Sequence, residues 1–169
     1  LLKLPGIDLR DPKLSVTPRG VLMLLGGGSV YEEGMLRSRA SRVAFLEGER
    51  FSSWERVVID PAIRSDDDWL WRVTWRGETA WGVVYQPQRA TDRAHLVRSP
   101  DGVHYAHVAT LDLDERPSEA AITFDPDDTM VLVVRRAAVG VLGRAEAPYT
   151  DFAWTPLDRR LGGPALILH

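Results

Sequence analysis

Apolar residues in this chain come in short runs rich in Val, Ile, Leu and aromatic side chains, with Gly, Pro and Asp between them. The 3.6-residue spacing of an amphipathic helix is nearly absent, while alternation with a period of two recurs, which predicts strands. The clearest runs cover residues 13–16, 21–25, 41–46, 56–59, 70–75, 80–85, 94–98, 106–111, 120–124, 130–135 and 152–155. Between pairs of them stand Thr17-Pro18-Arg19-Gly20, Arg76-Gly77-Glu78-Thr79 and Asp125-Pro126-Asp127-Asp128. Proline presets φ for a turn, and glycine and aspartate tolerate turn conformations, so these segments predict hairpins. The expected fold class is all-β.

The unit of strand, tight turn and strand repeats. It reads KLSVTPRGVLMLL from Lys13, RVTWRGETAWGVVY from Arg72 and AITFDPDDTMVLVV from Ala121, and superposing Val16, Trp75 and Phe124 gives steps of 59 and 49 residues. Spacings of this length, with four strands per unit, are those of β-propeller blades. A β-sandwich would show the same alternation without the register. The pattern therefore predicts about three blades, at 10–60, 66–115 and 118–160, with 161 onward opening a fourth, within one partial domain over 1–169. On this reading the chain, which begins at Leu1 and stops in an apolar run, is a truncated ring whose outer flanks carry uncovered apolar surface.

Composition narrows the function. The 169 residues are 44% hydrophobic and 27% charged, and no apolar run reaches the length of a membrane-spanning helix. A net charge of −3 gives no reason to expect nucleic acid. The absence of cysteine removes disulfides, thiolate metal sites and cysteine nucleophiles. His104 and His107, three apart in a strand, face opposite sides and form no metal pair, so neither a metal nor a cofactor is expected. Gly26-Gly27-Gly28 lacks the spacing of a phosphate loop and is expected to let a strand bend, and Asp66-Asp67-Asp68 to be a solvated loop.

In a propeller the innermost strand of each blade lines a central funnel, and the residues leading into it face the binding mouth. These are Arg10 and Asp11 in the first unit, Trp69, Trp71 and Arg72 in the second, and Ser118 and Glu119 in the third. The segment Arg10-Asp11-Pro12, ahead of a strand and a Pro/Gly turn, resembles the Arg-x-Pro motif of the sialidase (neuraminidase) superfamily. Glu119 and Arg135, separated by strand, Asp-rich turn and strand, resemble a second sialidase unit. Ser99-Pro100-Asp101-Gly102-Val103-His104-Tyr105 looks like its Asp-box (the turn of BNR repeats), in which Ser and Asp bond turn backbone while the aromatic anchors the hairpin.

The resemblance implies a sialidase-like glycoside hydrolase, exo-acting on a terminal acidic or decorated sugar, with a carbohydrate partner and a secreted or periplasmic location. It implies that Arg10 and Arg135 grip a carboxylate, a task suited to the guanidinium fork, and that Glu119 polarises a nucleophilic tyrosine. Alternation along the strand lets only one of Arg135 and Arg136 enter the funnel, and the spacing favours Arg135. The loop expected at 26–39, where sialidases carry an acid/base Asp, has only Glu32 and Glu33 as carboxylates, and Asp11 is the alternative acid. Arg72, Trp69 and Trp71 are candidate sugar contacts, with packing between blades the competing role for the tryptophans. A non-catalytic glycan-binding or protein-interaction propeller is the second reading, and the acid discriminates: it requires Glu32, Glu33 or Asp11 at the funnel.

Overall fold

The computed structural model describes residues 3–86 and 93–167, and among them there is no helix. Fourteen strands form three sheets that follow one another along the chain. The first holds β1 (Asp8–Val16), β2 (Leu22–Glu32), β3 (Met35–Glu47), β4 (Arg50–Phe51) and β5 (Glu55–Arg56). The second holds β6 (Val58–Ile59), β7 (Trp69–Arg76), β8 (Thr79–Tyr85), β9 (Ala94–Ser99) and β10 (His104–Leu111). The third is β11 (Ala120–Phe124), β12 (Met130–Val134), β13 (Val141–Ala145) and β14 (Ala153–Pro156). The pairs β1–β2, β7–β8 and β11–β12 are antiparallel hairpins, and Val16, Trp75 and Phe124 all fall at or next to the end of the first strand of each.

The strand pairs within each sheet are antiparallel, with one exception. β6 runs parallel to β10, so the segment entering the second sheet closes that sheet's outer edge. Two cores lie between the sheets. One joins Met23, Leu25 and Val43 of the first sheet to Leu70, Val84, Val97 and Tyr105 of the second. The other joins Trp71, Trp81, Val83, Tyr85 and Leu96 of the second to Ile122, Met130, Leu132 and Val134 of the third. Period-two alternation sends successive residues of β8 to opposite cores, which is why that strand is apolar and buried almost throughout. Thr74 Oγ1 donates to the Ile122 carbonyl at 2.7 Å and ties the leading strands of these two sheets together. On the other side of the first sheet Leu14 and Val16 are 62% and 60% exposed.

Two expectations change. Residues 26–39 are no loop: β2 and β3 continue to a two-residue turn at Glu33-Gly34, with Glu32 opposite Met35 and φ of 51° and 77° at the two central residues. Positive φ at both positions is what a hairpin turn matching the strand twist requires. Two glycines of β2 also make room: a Cβ on Gly27 would overlap the Trp69 ring, and one on Gly28 would lie 2.8 Å from Arg42 Nε. Finally, residues 161–167 form no strand, because nothing among the described residues pairs with them, and residues 168 and 169 lie outside the described residues. β13, a short Val-Leu-Gly-Arg-Ala run, is a strand the apolar pattern did not mark.

Candidate functional site

The leading strands β1, β7 and β11 lie side by side, and two of them are bulged near their start. Between Arg10 and Lys13 the register slips, so that Asp11 and Pro12 together oppose Gly26. Between Leu70 and Val73 it slips again, setting Trp71 and Arg72 opposite Val83. A bulge adds a residue, strengthens the local twist and re-aims side chains. Asp11 takes φ of 56°, a left-handed conformation that costs a non-glycine residue energy and is found where the surrounding structure enforces it.

Glu119 and Arg135 sit one residue beyond the paired ends of β11 and β12 and continue the ladder, Arg135 N–H donating to the Glu119 carbonyl at 2.9 Å. Cross-strand neighbours share a face, and Arg135 Nη1 donates to Glu119 Oε1 at 2.7 Å in a half-buried ion pair. Arg136 points the other way, buried at 9% exposure, and bonds Asp114 at 3.0 Å and the Val139 carbonyl at 3.2 Å. Glu119 Oε2 accepts no hydrogen bond among the described residues. It faces Gly163, where a Cβ would lie 3.7 Å from it and 3.0 Å from Trp71 Cζ2.

Lys13 completes the wall. Its Nζ lies 3.8 Å from the centroid of the Trp71 ring and donates to the Asp11 carbonyl at 3.2 Å. Burial lowers its pKa, Arg72 adds to the lowering, and Asp11 and Glu119 oppose it. Tyr85, opposite Trp69 in the β7–β8 register, is 7% exposed. Burial, then the negative charges of Glu119 and Asp11, push its hydroxyl well above the usual range, with Arg39 and Arg135 acting the other way. Asp11, Lys13, Arg39, Arg72, Tyr85, Glu119 and Arg135 thus form one electrostatic neighbourhood.

The remaining candidates lie elsewhere or are covered. Arg10 is exposed, paired with Asp8, and donates to the Tyr31 hydroxyl at 3.4 Å. It shares no hydrogen-bond partner with Arg135, although across the bulge it stands on the same face of the sheet as Lys13, since their partners Gly27 and Leu25 are two residues apart on β2. Glu32 and Glu33 are exposed at the β2–β3 turn, Glu32 paired with Arg37 at 3.0 Å. Trp69 and Trp71 are 5% and 8% exposed, so neither presents an open face for a sugar: Trp69 packs on Gly27 with Arg39 5.5 Å from its ring centroid, and Lys13 covers Trp71. Arg72 is half-buried with an unpartnered Nε, as is the Trp71 indole nitrogen. Sequence reasoning missed Lys13 and Tyr85. The register held the signal for Tyr85, which pairs with Trp69.

At the opposite end of the second sheet the Ser99–Tyr105 turn is held by its own side chains. Asp101 Oδ1 accepts from the Ser99 hydroxyl and from the Val103 and His104 amides, each at 2.8 Å, while Oδ2 faces His104 Nδ1 at 2.9 Å. Burial pushes the Asp101 pKa up, and these bonds outweigh it and hold the carboxyl far below the usual range. Tyr105 is buried beneath.

No protein-family model matches this chain, and none of the curated proteins does. Solved structures do resemble it. A protein of unknown function from Dyadobacter fermentans superposes with a TM-score of 0.76 at 17% identity, covering 95% of this chain and 54% of its own. An exo-β-1,3-galactanase from Clostridium thermocellum gives 0.68 at 12% identity, covering 93% and 38%, and a GH43 β-1,3-galactosidase gives 0.50 at 10%, covering 92% and 40%. The chain therefore spans about half or less of the length of these structures. At such identities the likeness shows the fold: all-β, propeller-like, of a kind found among glycoside hydrolases.

Proposed function

We propose that this chain is part of a glycoside hydrolase acting at a terminal sugar, with Asp11 and Glu119 as its two carboxylates. The observation that supports the reading is their convergence: both act on Lys13 and on Tyr85, and Arg135 bonds one oxygen of Glu119 while leaving the other open. Glycoside hydrolysis usually needs one carboxyl group to protonate the leaving oxygen and a second to act as base or nucleophile. The left-handed bulge that carries Asp11 suits such a role, since strain of this kind clusters at active sites. Arg135 orients Glu119, and Lys13 supplies positive charge between the two carboxylates. The galactanase and galactosidase among the structural neighbours make galactosides the first substrates to try.

The finer sialidase-type reading, with 10–60, 66–115 and 118–160 as three blades, is supported by the Glu119–Arg135 pair and by the Ser99–Asp101 turn. One placement speaks against it: Arg10 pairs with Asp8 and shares no partner with Arg135. A glycan-binding propeller without catalysis is favoured by one observation, the position of Glu32 and Glu33 at an exposed turn, which leaves Asp11 alone of the three candidate acids in the neighbourhood.

Hydrolysis of fluorogenic β-galactosides and α-sialosides by the full-length protein separates these readings. Turnover of a galactoside lost in both Glu119→Gln and Asp11→Asn supports the proposal. Turnover of the sialoside alone favours the sialidase type, and sugar binding without turnover favours the platform.

A further inference from the structure

At the other end of the first two sheets, away from the candidate site, lies a cavity of about 710 Å³. It opens between the β1–β2 turn, the end of β3, the β7–β8 turn and the start of the Ser99–Tyr105 turn, so both of its walls belong to this chain. Four residues of β7 separate its Trp75 from Trp71 in the candidate site, roughly 13 Å of strand. Val21, Phe45 and Trp75 give it an apolar, aromatic lining, and Arg19, Glu47 and Glu78 stand exposed around it.

The polar groups around it divide into spent and unspent. Thr17 Oγ1 accepts from the Val21 amide at 3.1 Å, and both oxygens of Asp101 are taken up within its own turn. The side chains of Arg19, Glu47 and Glu78 make no hydrogen bond or ion pair among the described residues. The Trp75 indole nitrogen is buried and has no partner among them either. A buried donor left unsatisfied is costly and calls for an acceptor. The ring that carries it is braced by the neighbouring turn: a Cβ on Gly102 would lie 3.2 Å from Trp75 Cζ2 and 2.9 Å from Met23 Sδ.

We propose that this cavity is a second saccharide site, which takes a neutral sugar. A cation would satisfy only the two carboxylates, and an anion only the guanidinium. A neutral sugar satisfies both, because each of its hydroxyls donates and accepts: Glu47 and Glu78 take hydroxyl protons, while Arg19 and the Trp75 N–H donate to hydroxyl oxygens. Its C–H face lies against Trp75 and Phe45, apolar bodies of which the first also carries a polar handle. The volume falls within the range of small-molecule sites. That this sugar belongs to the glycan being hydrolysed rests on the function proposed above. The saccharide chemistry rests on the cavity alone.

The test is calorimetric titration of the full-length protein with galactobiose, cellobiose and mannobiose, and with spermidine as a cationic probe, at constant ionic strength. At least one disaccharide is expected to bind, and the exposed pair of changes Glu47→Ala and Glu78→Ala to weaken it roughly tenfold, the scale of one charge-assisted hydrogen bond. Trp75→Phe, which keeps an aromatic ring and removes the N–H, is expected to weaken it roughly threefold. Amide exchange is expected to slow on binding at residues 17–21, 45–47 and 75–78. No binding of any disaccharide, binding that neither variant weakens, slowed exchange confined to Asp11 and Glu119, or binding of spermidine alone overturns the inference. Turnover of a small fluorogenic glycoside separates the two claims, since the Glu47/Glu78 double variant is expected to keep it. Sugar binding at this cavity in a protein that hydrolyses no glycoside leaves the site standing and sinks the hydrolase, while hydrolysis without such binding does the reverse.

Discussion

Asp101 and Glu119 both stand at strand ends and both accept short hydrogen bonds, but they spend their oxygens differently. Asp101 uses both: three donors within its own turn converge on Oδ1 and the His104 ring faces Oδ2. Glu119 uses Oε1 for Arg135 and leaves Oε2 open beside Gly163 and Trp71. The first carboxylate is saturated by groups a few residues away and holds a turn. The second is aimed by a residue from the next strand and keeps capacity for something not of the chain.

Substitution sharpens the contrast. Glu119→Gln is expected to lower the turnover of the full-length protein by about 10²–10⁴-fold, the range for an acid or base removed, with its melting temperature nearly unchanged. A large loss of stability instead would place Glu119 with Asp101. Asp101→Ala should cost about 1–3 kcal/mol in urea unfolding and leave turnover per folded molecule as it was. Acid offers a third probe.

His95 is buried against His107, and burial, then the charges of His107 and Arg93, lower its pKa from 6.5 to about 4. The unfolded chain therefore binds more protons below 6.5, so stability is fully present above that pH and falls as pH drops toward 4. The expected loss is on the order of 2 kcal/mol at pH 5, and His95→Gln should flatten that limb of a denaturation series. Asp101, held far lower, gives up its share only in stronger acid. The smallest effect belongs to Glu33→Gln, expected to leave both turnover and stability within experimental scatter. A clear drop in turnover would return the β2–β3 turn to the site.

Much of the architecture was legible because each sheet begins with the same strand–turn–strand phrase, and Val16, Trp75 and Phe124 mark it in register. The Glu119–Arg135 pair was legible too, since two strands joined by a short turn bring residues sixteen apart face to face. What period-two reasoning could not see were the bulges. One extra residue in β1 puts Arg10 and Lys13, three apart, on the same face of the sheet, and no apolar pattern encodes that slip. The space that Gly27 leaves escaped for a related reason: it is filled by the Trp69 ring from another sheet, a contact distant in sequence. Tyr85 ends a largely apolar, buried strand, which by itself gives no sign of a site.

The second sheet, alone of the three, is covered on both faces by the cores described here. In deuterated water the amides of β8 and β9 should be released only by opening the whole unit, while β1, at a sheet edge, exchanges through small local fluctuations. Tyr85, on β8, belongs to the strands expected to exchange slowly, while Asp11 on β1 and Trp71 and Arg72 on β7 stand on edge strands expected to exchange faster. The candidate site is thus assembled from a persistent half and a breathing half, and a bound glycan would show itself first as slowed exchange at Asp11 and Lys13.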